Sequence, residues 1–72
     1  MIEMENVESS NVEAVGYDYV EEVMRVRYKG GKAYDYMGVP ADKYAEALAA
    51  PSLGKFLAAE IKPVYRCEKV EE

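Results

Sequence analysis

A run of twelve residues in the first half of the chain carries four basic side chains and three tyrosines. Three of the basic residues occupy alternate positions, so in an extended strand they project from one face. A row of cations suits phosphate groups, and exposed tyrosine rings can stack on nucleic-acid bases. The pattern predicts a nucleic-acid-binding surface, and a solvated strand protected from edge pairing by its charge is an equally weighted alternative. The residues of this predicted surface are Arg25, Arg27, Lys29, Lys32, Tyr34 and Tyr36.

Other chemistry has little support in the sequence. The chain has no histidine and a single cysteine, Cys67, which argues against a Ser-His-Asp triad and against His-based or Cys-based metal sites within one chain. Gly30-Gly31-Lys32 lacks the upstream glycine and the following Ser or Thr of a phosphate-binding loop, so a hairpin turn is the better interpretation. We therefore predict a non-catalytic domain that needs neither a metal nor another cofactor.

The elements that position the predicted surface form a β-hairpin. Apolar and polar residues alternate over residues 23–28 and again at 34–36, with Gly30-Gly31 between them. A two-residue type I′ turn would pair Arg27 with Tyr34 and place arginines and tyrosines on one face. A three-residue loop with Gly31 as a G1 bulge would pair Val26 with Tyr34 instead.

We favour the three-residue loop, because it gathers the apolar residues of both strands on one face. Met24 then pairs with Tyr36, while Arg25, Arg27 and Asp35 lie on the opposite face. Tyrosines at alternate strand positions in a chain without tryptophan belong to the core more often than to a binding surface. This favours a core position for Tyr34 and Tyr36, and their exposure as a stacking surface stays open as the alternative.

The rest of the chain predicts an α+β fold. Residues 12–15 suggest a first strand that ends at Gly16, with a bulge near that glycine. One helix should begin with Pro40 as its first residue and end near Ala49, its apolar face formed by residues 41, 44, 45 and 48. A second helix should begin after Ser52 as N-cap and stop before Pro63. The result is a three-stranded antiparallel meander covered on one face by two C-terminal helices, with a short fourth strand left open at residues 64–70.

The predicted organisation is a single domain between two acidic ends. Residues 1–8 are expected to be a frayed acidic N-terminus, residues 9–66 the folded domain and residues 67–72 an acidic tail. The net charge is −5, yet residues 23–66 hold eight basic and four acidic side chains, so the body is basic. Neither a signal peptide nor a long apolar run is present, which predicts a cytoplasmic protein with no membrane partner. The predicted core is Val12, Met24, Val26, Tyr36, Leu48, Phe56 and Ile61.

Several short motifs occur in a fixed order along the chain. The motifs are Ser9-Ser10-x-Val12-x-Ala14-Val15-Gly16-Tyr17-Asp18, Val26-x-Tyr28, Gly31, Tyr34-x-Tyr36, Val39-Pro40-x-x-x-Tyr44, Ser52-x-Gly54-x-Phe56-Leu57 and Ile61-Lys62-x-x-Tyr65. Their order resembles the KTSC domain, a small module named for its occurrence at the C-terminus of some lysyl-tRNA synthetases. The family tends to have Phe where this chain has Tyr28, and an aromatic pair followed by Asn where it has Phe56-Leu57-Ala58. The resemblance implies a stand-alone domain with RNA as its suggested ligand.

Two classes of function follow from these observations. The first is an accessory domain that binds RNA, such as a tRNA-like stem-loop, weakly through its basic face. The second is a protein-interaction module that uses an edge strand or the surface of a helix. Arginines and tyrosines together on a solvent face would favour RNA, whereas buried tyrosines with an uncovered apolar patch or a free edge would favour a protein partner.

Overall fold

The structure, a computed structural model, describes residues 2–71. The elements are β1 Met4–Asn6, β2 Val12–Asp18, β3 Val23–Tyr28, β4 Ala33–Met37, α1 Ala41–Ala49, α2 Leu53–Phe56 and β5 Cys67–Val70. They form an α+β fold in which an antiparallel sheet of five strands has the order β1-β2-β3-β4-β5, a meander in which each strand pairs with the next along the chain. Helix α2 continues directly into one turn of π-helix over Leu57–Ile61.

The sheet has more strands than the three predicted. The fourth strand left open at residues 64–70 forms as β5 and pairs with β4. The additional strand, β1, lies within residues 1–8, which were expected to be frayed. Met4-Glu5-Asn6 has no apolar alternation to reveal it, and backbone pairing with β2 holds it at the sheet edge. Met1 and Glu72 belong to the predicted acidic ends and lie outside the described residues.

Strand β2 runs through Gly16 and does not end there. The irregularity predicted near Gly16 occurs earlier, because the register with β3 shifts between Val12 and Ala14. Gly16 instead pairs with Met4 on one side and with Arg25 on the other. A Cβ atom at this position would lie 2.4 Å from the carbonyl oxygen of Glu3. Glycine is therefore what allows β1 to approach β2 this closely.

The β3–β4 hairpin adopts the predicted three-residue loop. The amide of Tyr28 donates to the carbonyl of Lys32 at 2.8 Å, and the amide of Gly31 donates to the carbonyl of Tyr28 at 3.0 Å. Gly31 has φ +94°, which suits the position of a G1 bulge. Val26 consequently pairs with Tyr34, and Met24 with Tyr36. The alternative register, which would have brought arginines and tyrosines together, is excluded.

Helix α1 packs with a face different from the predicted one. Pro40 is its N-cap and not its first residue. Tyr44 and Ala47 are buried, whereas Leu48 is 46% exposed, so the prediction that Leu48 belongs to the core is wrong. The helix is rotated so that Tyr44, whose ring stacks on Tyr17, and the small Ala47 contact the core. Leu48, one position further along the helix, is thereby turned outward.

Helix α2 follows its prediction closely. The hydroxyl oxygen of Ser52 accepts a hydrogen bond from the amide of Lys55 at 3.4 Å, as expected of an N-cap. Leu53, Leu57 and Ile61 are buried at spacings of four residues. The π-helical turn is closed by the amide of Lys62, which donates to the carbonyl of Leu57 at 2.8 Å.

The core lies between the helices and the sheet face that carries Met24 and Val26. Five of the seven predicted core residues are buried there, and Phe56 is only partly buried at the margin. No helix within residues 2–71 is both long and apolar enough to cross a membrane. The confirmed core residues are Val12, Met24, Val26, Tyr36 and Ile61.

Candidate nucleic-acid interface

A cavity of about 600 Å³ opens beside the loop of the β3–β4 hairpin. Three tyrosines and three lysines supply most of its wall, and no carboxylate of residues 2–71 lines it. We call it the basic cavity; its lining residues are Tyr28, Lys29, Gly30, Lys32, Tyr34, Tyr36, Lys62 and Cys67. Its volume lies in the range of sites that hold a small organic ligand such as a nucleotide.

The hairpin register places the three tyrosines on the same side of the sheet. Tyr28, Tyr34 and Tyr36 share the face that carries Met24 and Val26, because side chains alternate along β3 and β4. Cys67 pairs with Tyr36 and brings β5 to the same face. The helices cover the Met24 end of this face, whereas the tyrosines near the loop border the open cavity.

The rings of Tyr28 and Tyr34 are inclined to each other, and a cation lies over one of them. The rings of Tyr28 and Tyr34 have centroids 6.0 Å apart and planes inclined at 65°. The ammonium of Lys62 lies 5.0 Å from the centroid of Tyr28 and covers that ring as a cation–π contact. Tyr36 is only 3% exposed. Tyr34, which is half-buried, is therefore the ring best placed to stack on a ligand.

The hydroxyls of Tyr28 and Tyr36 are joined by a hydrogen bond of 2.9 Å at the base of the cavity. Burial raises the pKa of Tyr28 far above its ordinary value, and the bond to Tyr36 raises it further, as expected if Tyr28 is the donor. Burial also raises the pKa of Tyr36, although accepting this bond partly offsets the increase. Both phenols stay neutral at physiological pH, so the charges that face a ligand here come from the lysines.

These raised pKa values predict a loss of stability in alkaline solution. Between the ordinary tyrosine pKa of about 10 and the raised values, the folded chain binds more protons than the unfolded chain. The free energy of unfolding should thus be unaffected by this pair below pH 10 and should fall as the pH rises further. Urea unfolding measured on both sides of pH 10 tests this. Tyr28→Phe should make the decline shallower, and an equal decline in both proteins would contradict the assignment.

The structure divides the six residues of the predicted surface between two faces. Lys29, Lys32, Tyr34 and Tyr36 line the basic cavity. Arg25 and Arg27 lie on the opposite face of the sheet, where they pair with Gly16 and Ala14 of β2. A face that combines arginines with tyrosines, which only the disfavoured two-residue turn would have built, is therefore not formed.

Arg25 has a partner within the sheet. Its Nε and Nη2 donate to the two carboxylate oxygens of Asp35 at 2.7 and 3.0 Å, a bidentate pair across β3 and β4. Both side chains are partly shielded from solvent, with exposures of 26% and 17%. This contact gives Arg25 a role in cross-strand pairing that does not depend on any ligand.

Three side chains of the basic cavity lie outside the surface that the sequence predicts. Tyr28 belongs to the alternation of the hairpin and has no predicted binding role, and Lys62 lies at the predicted end of the second helix. Cys67 begins the predicted acidic tail. The alternation in β3 marks Tyr28 as a neighbour of Tyr36, but only the packing of the π-helical turn brings Lys62 onto its ring. Within residues 2–71, no group of three or more carboxylate or thiol side chains could hold a metal ion.

Comparison with known proteins assigns a family to this architecture. The sequence model of the KTSC domain matches residues 8–65, which include the hairpin, both helices and most of the basic cavity. The chain belongs to the KTSC domain family. The match stops before Cys67, so β5 lies beyond the matched part of this KTSC domain.

The relatives of this KTSC domain are of similar length. A protein of Tsukamurella paurometabola is 43% identical over 63 residues, which cover 88% of this chain and 94% of the relative. A protein of Stutzerimonas stutzeri is 32% identical over 59 residues, covering 82% and 83%. The crystal structure of a KTSC domain protein from Yersinia pestis superposes with a TM-score of 0.92 at 28% identity and covers 99% of this chain and 100% of that one. The five-stranded architecture thus has an experimental counterpart.

Proposed function

We propose that this chain is a non-catalytic domain that binds single-stranded RNA weakly, with one nucleotide in the basic cavity. One observation carries the proposal: the lining combines a tyrosine ring on which a base can stack with three lysines, and no carboxylate of residues 2–71 lies in it. Sites for single-stranded nucleic acid combine aromatic stacking platforms with a positive surface that follows the backbone. The basic cavity has both components within the space of one nucleotide.

The roles within the cavity follow from its geometry. A base would lie on Tyr34, because Lys62 already covers the ring of Tyr28. The neighbouring phosphates would contact Lys29 and Lys32, which are exposed at the rim beside the loop. No side chain in the lining is an obvious reader of base edges, so binding should show little sequence preference.

The proposal predicts that reversing one cavity charge weakens binding. Lys32→Glu should raise the Kd for a fluorescein-labelled single-stranded RNA about tenfold at low salt, because one phosphate contact is replaced by repulsion. The matched control is Lys55→Glu, since Lys55 is exposed on α2 and does not line the cavity. Fluorescence anisotropy supplies both values. Equal weakening by the two substitutions would show that binding depends on net charge alone and would refute the site.

Salt and stacking provide two further readouts of the same titration. Two lysine–phosphate contacts on a single strand, those of Lys29 and Lys32, give a slope of log K against log salt of about −1.4. Tyr34→Leu keeps apolar bulk but removes the stacking ring and should cost about 1–3 kcal/mol of binding free energy. A Kd that is insensitive to Tyr34→Leu would leave only charge attraction and would contradict the nucleotide site.

A further inference from the structure

A second cavity, of about 530 Å³, has the opposite electrostatic character. It lies where β1 and the end of β2 meet helix α1, and no lysine or arginine contributes to its lining. We call it the acidic cavity; its lining residues are Glu3, Glu5, Tyr17, Tyr19, Tyr44 and Leu48. None of these residues lines the basic cavity.

Three tyrosine rings form a rigid wall of the acidic cavity. Tyr17 and Tyr44 stack with centroids 4.8 Å apart and planes inclined at 14°. Tyr19 meets the ring of Tyr17 edge-on, at 4.7 Å and 77°. The hydroxyl of Tyr17 donates to the carbonyl of Val39, which fixes that ring in the core. Tyr17 and Tyr44 are nearly fully buried, whereas Tyr19 is 70% exposed and forms the open side.

Two carboxylates give the acidic cavity its charge. Glu3 and Glu5 are exposed on and beside the edge strand β1, at alternate positions. Burial raises the pKa of Tyr44, and the charge of Glu5 raises it further, as expected of a carboxylate beside the aromatic wall. A cation at the mouth would therefore meet negative charge together with the exposed ring of Tyr19.

The mouth of the acidic cavity is also apolar. Leu48 in the lining is 46% exposed. Two of the four large hydrophobic residues that the structure leaves exposed within residues 2–71, Tyr19 and Leu48, thus line this cavity. Exposed apolar surface beside a charged rim is typical of a site for a protein partner.

We propose that the acidic cavity binds an arginine side chain of a basic protein segment. The aliphatic stem of the arginine would pack on Leu48 and Tyr19, and its guanidinium would lie between the aromatic wall and the carboxylates of Glu3 and Glu5. Nucleic acid does not suit this cavity, because its phosphates would face the two carboxylates. A divalent cation does not suit it either, since such ions require more oxygen ligands than two carboxylates on an apolar wall supply.

A peptide titration of the full chain tests the proposal. The probe is a short fluorescein-labelled peptide in which two arginines flank a leucine, compared with a peptide that has glutamate in place of each arginine. The chain should bind only the arginine peptide. The double substitution Glu3→Gln and Glu5→Gln should weaken that binding about tenfold, the combined effect of two exposed charge contacts. Tyr19→Ala should weaken it as well, without any change in net charge.

The matched control carries the same change in net charge at another place. Glu13 and Glu21 are exposed and do not line the cavity, so the double substitution Glu13→Gln and Glu21→Gln should leave the peptide affinity unchanged. Equal weakening by both double variants, or no binding of the arginine peptide at low salt, would overturn the proposal. If the chain self-associates and the double substitution Glu3→Gln and Glu5→Gln abolishes this, the cavity binds a second copy of the chain. That result would overturn the proposal too.

Discussion

Replacing Ile61 with alanine is expected to lower the free energy of unfolding by about 2–5 kcal/mol. Ile61 is fully buried at the end of the π-helical turn, so the substitution leaves a cavity where the turn meets the sheet. A domain of this size has only about 3–5 kcal/mol from its core to lose. The Ile61→Ala chain should accordingly be largely unfolded at room temperature, as circular dichroism during urea titration would show.

The matched control is Leu48→Ala, which removes a similar volume from a side chain that is 46% exposed. Its effect on the free energy of unfolding should stay below about 1 kcal/mol, because surface substitutions rarely exceed that value. Equal destabilisation by the two substitutions would mean that α1 buries Leu48 in solution, and it would contradict the orientation of that helix described here.

The second large effect is expected at Gly16. An alanine Cβ there would lie 2.4 Å from the carbonyl oxygen of Glu3, and backbone atoms cannot yield as a flexible side chain can. Gly16→Ala should therefore force β1 away from β2 at a cost of about 1–3 kcal/mol. Hydrogen exchange measures this directly, since the amide of Val7, which donates to the carbonyl of Glu13 at 3.1 Å, should lose its protection.

Glu13→Ala serves as the control for Gly16→Ala, because it changes an exposed side chain of the same strand. Protection of the Val7 amide should survive in that variant. Full protection in the Gly16→Ala chain would show that β1 can pair with β2 without a glycine and would contradict the close approach. Detachment of β1 should also abolish binding of the arginine peptide, because β1 carries Glu5 and adjoins Glu3.

The elements that could be predicted were those with strong local signals. The hairpin register followed from one physical requirement, that Met24, Val26 and the tyrosines share an apolar face, and the pairing of Met24 with Tyr36 confirms it. Helix α2 was equally predictable, because its N-cap Ser52 and the proline that follows it delimit a stripe of large apolar residues. Both elements also carry the motifs through which the KTSC family was recognised.

The missed elements gave weak or ambiguous signals. Strand β1 is held by backbone hydrogen bonds at an edge, and its side chains are too polar to show the period of a strand. Helix α1 has apolar residues on more than one face, so the choice between Ala47 and Leu48 for the core depends on the tertiary contact of Tyr44 with Tyr17. Sequence periodicity does not contain that information.

The predicted binding surface combined features that the fold separates. Alternation along β3 places Arg25 and Lys29 on one face of the sheet. However, β3 ends at Tyr28, so Lys29 lies in the loop and does not follow the alternation. The lysine could therefore move to the cavity side of the sheet while Arg25 stayed beside Asp35. Lys62 is far from the hairpin in sequence and reaches Tyr28 only through the packing of the helix.

The central claim, that RNA occupies the basic cavity, can be tested at Cys67. This residue is the one cysteine of the chain, is exposed and lies in the cavity lining opposite Tyr36, so its thiol reports on the site without any mutation. The measurement is the rate of Cys67 alkylation by iodoacetamide, followed by mass spectrometry, with and without a saturating single-stranded RNA at low salt. The rate should fall when RNA is bound and recover at high salt. If Cys67 is alkylated at an undiminished rate while anisotropy shows that the RNA is bound, the RNA lies elsewhere. That result would contradict the claim that RNA occupies the basic cavity.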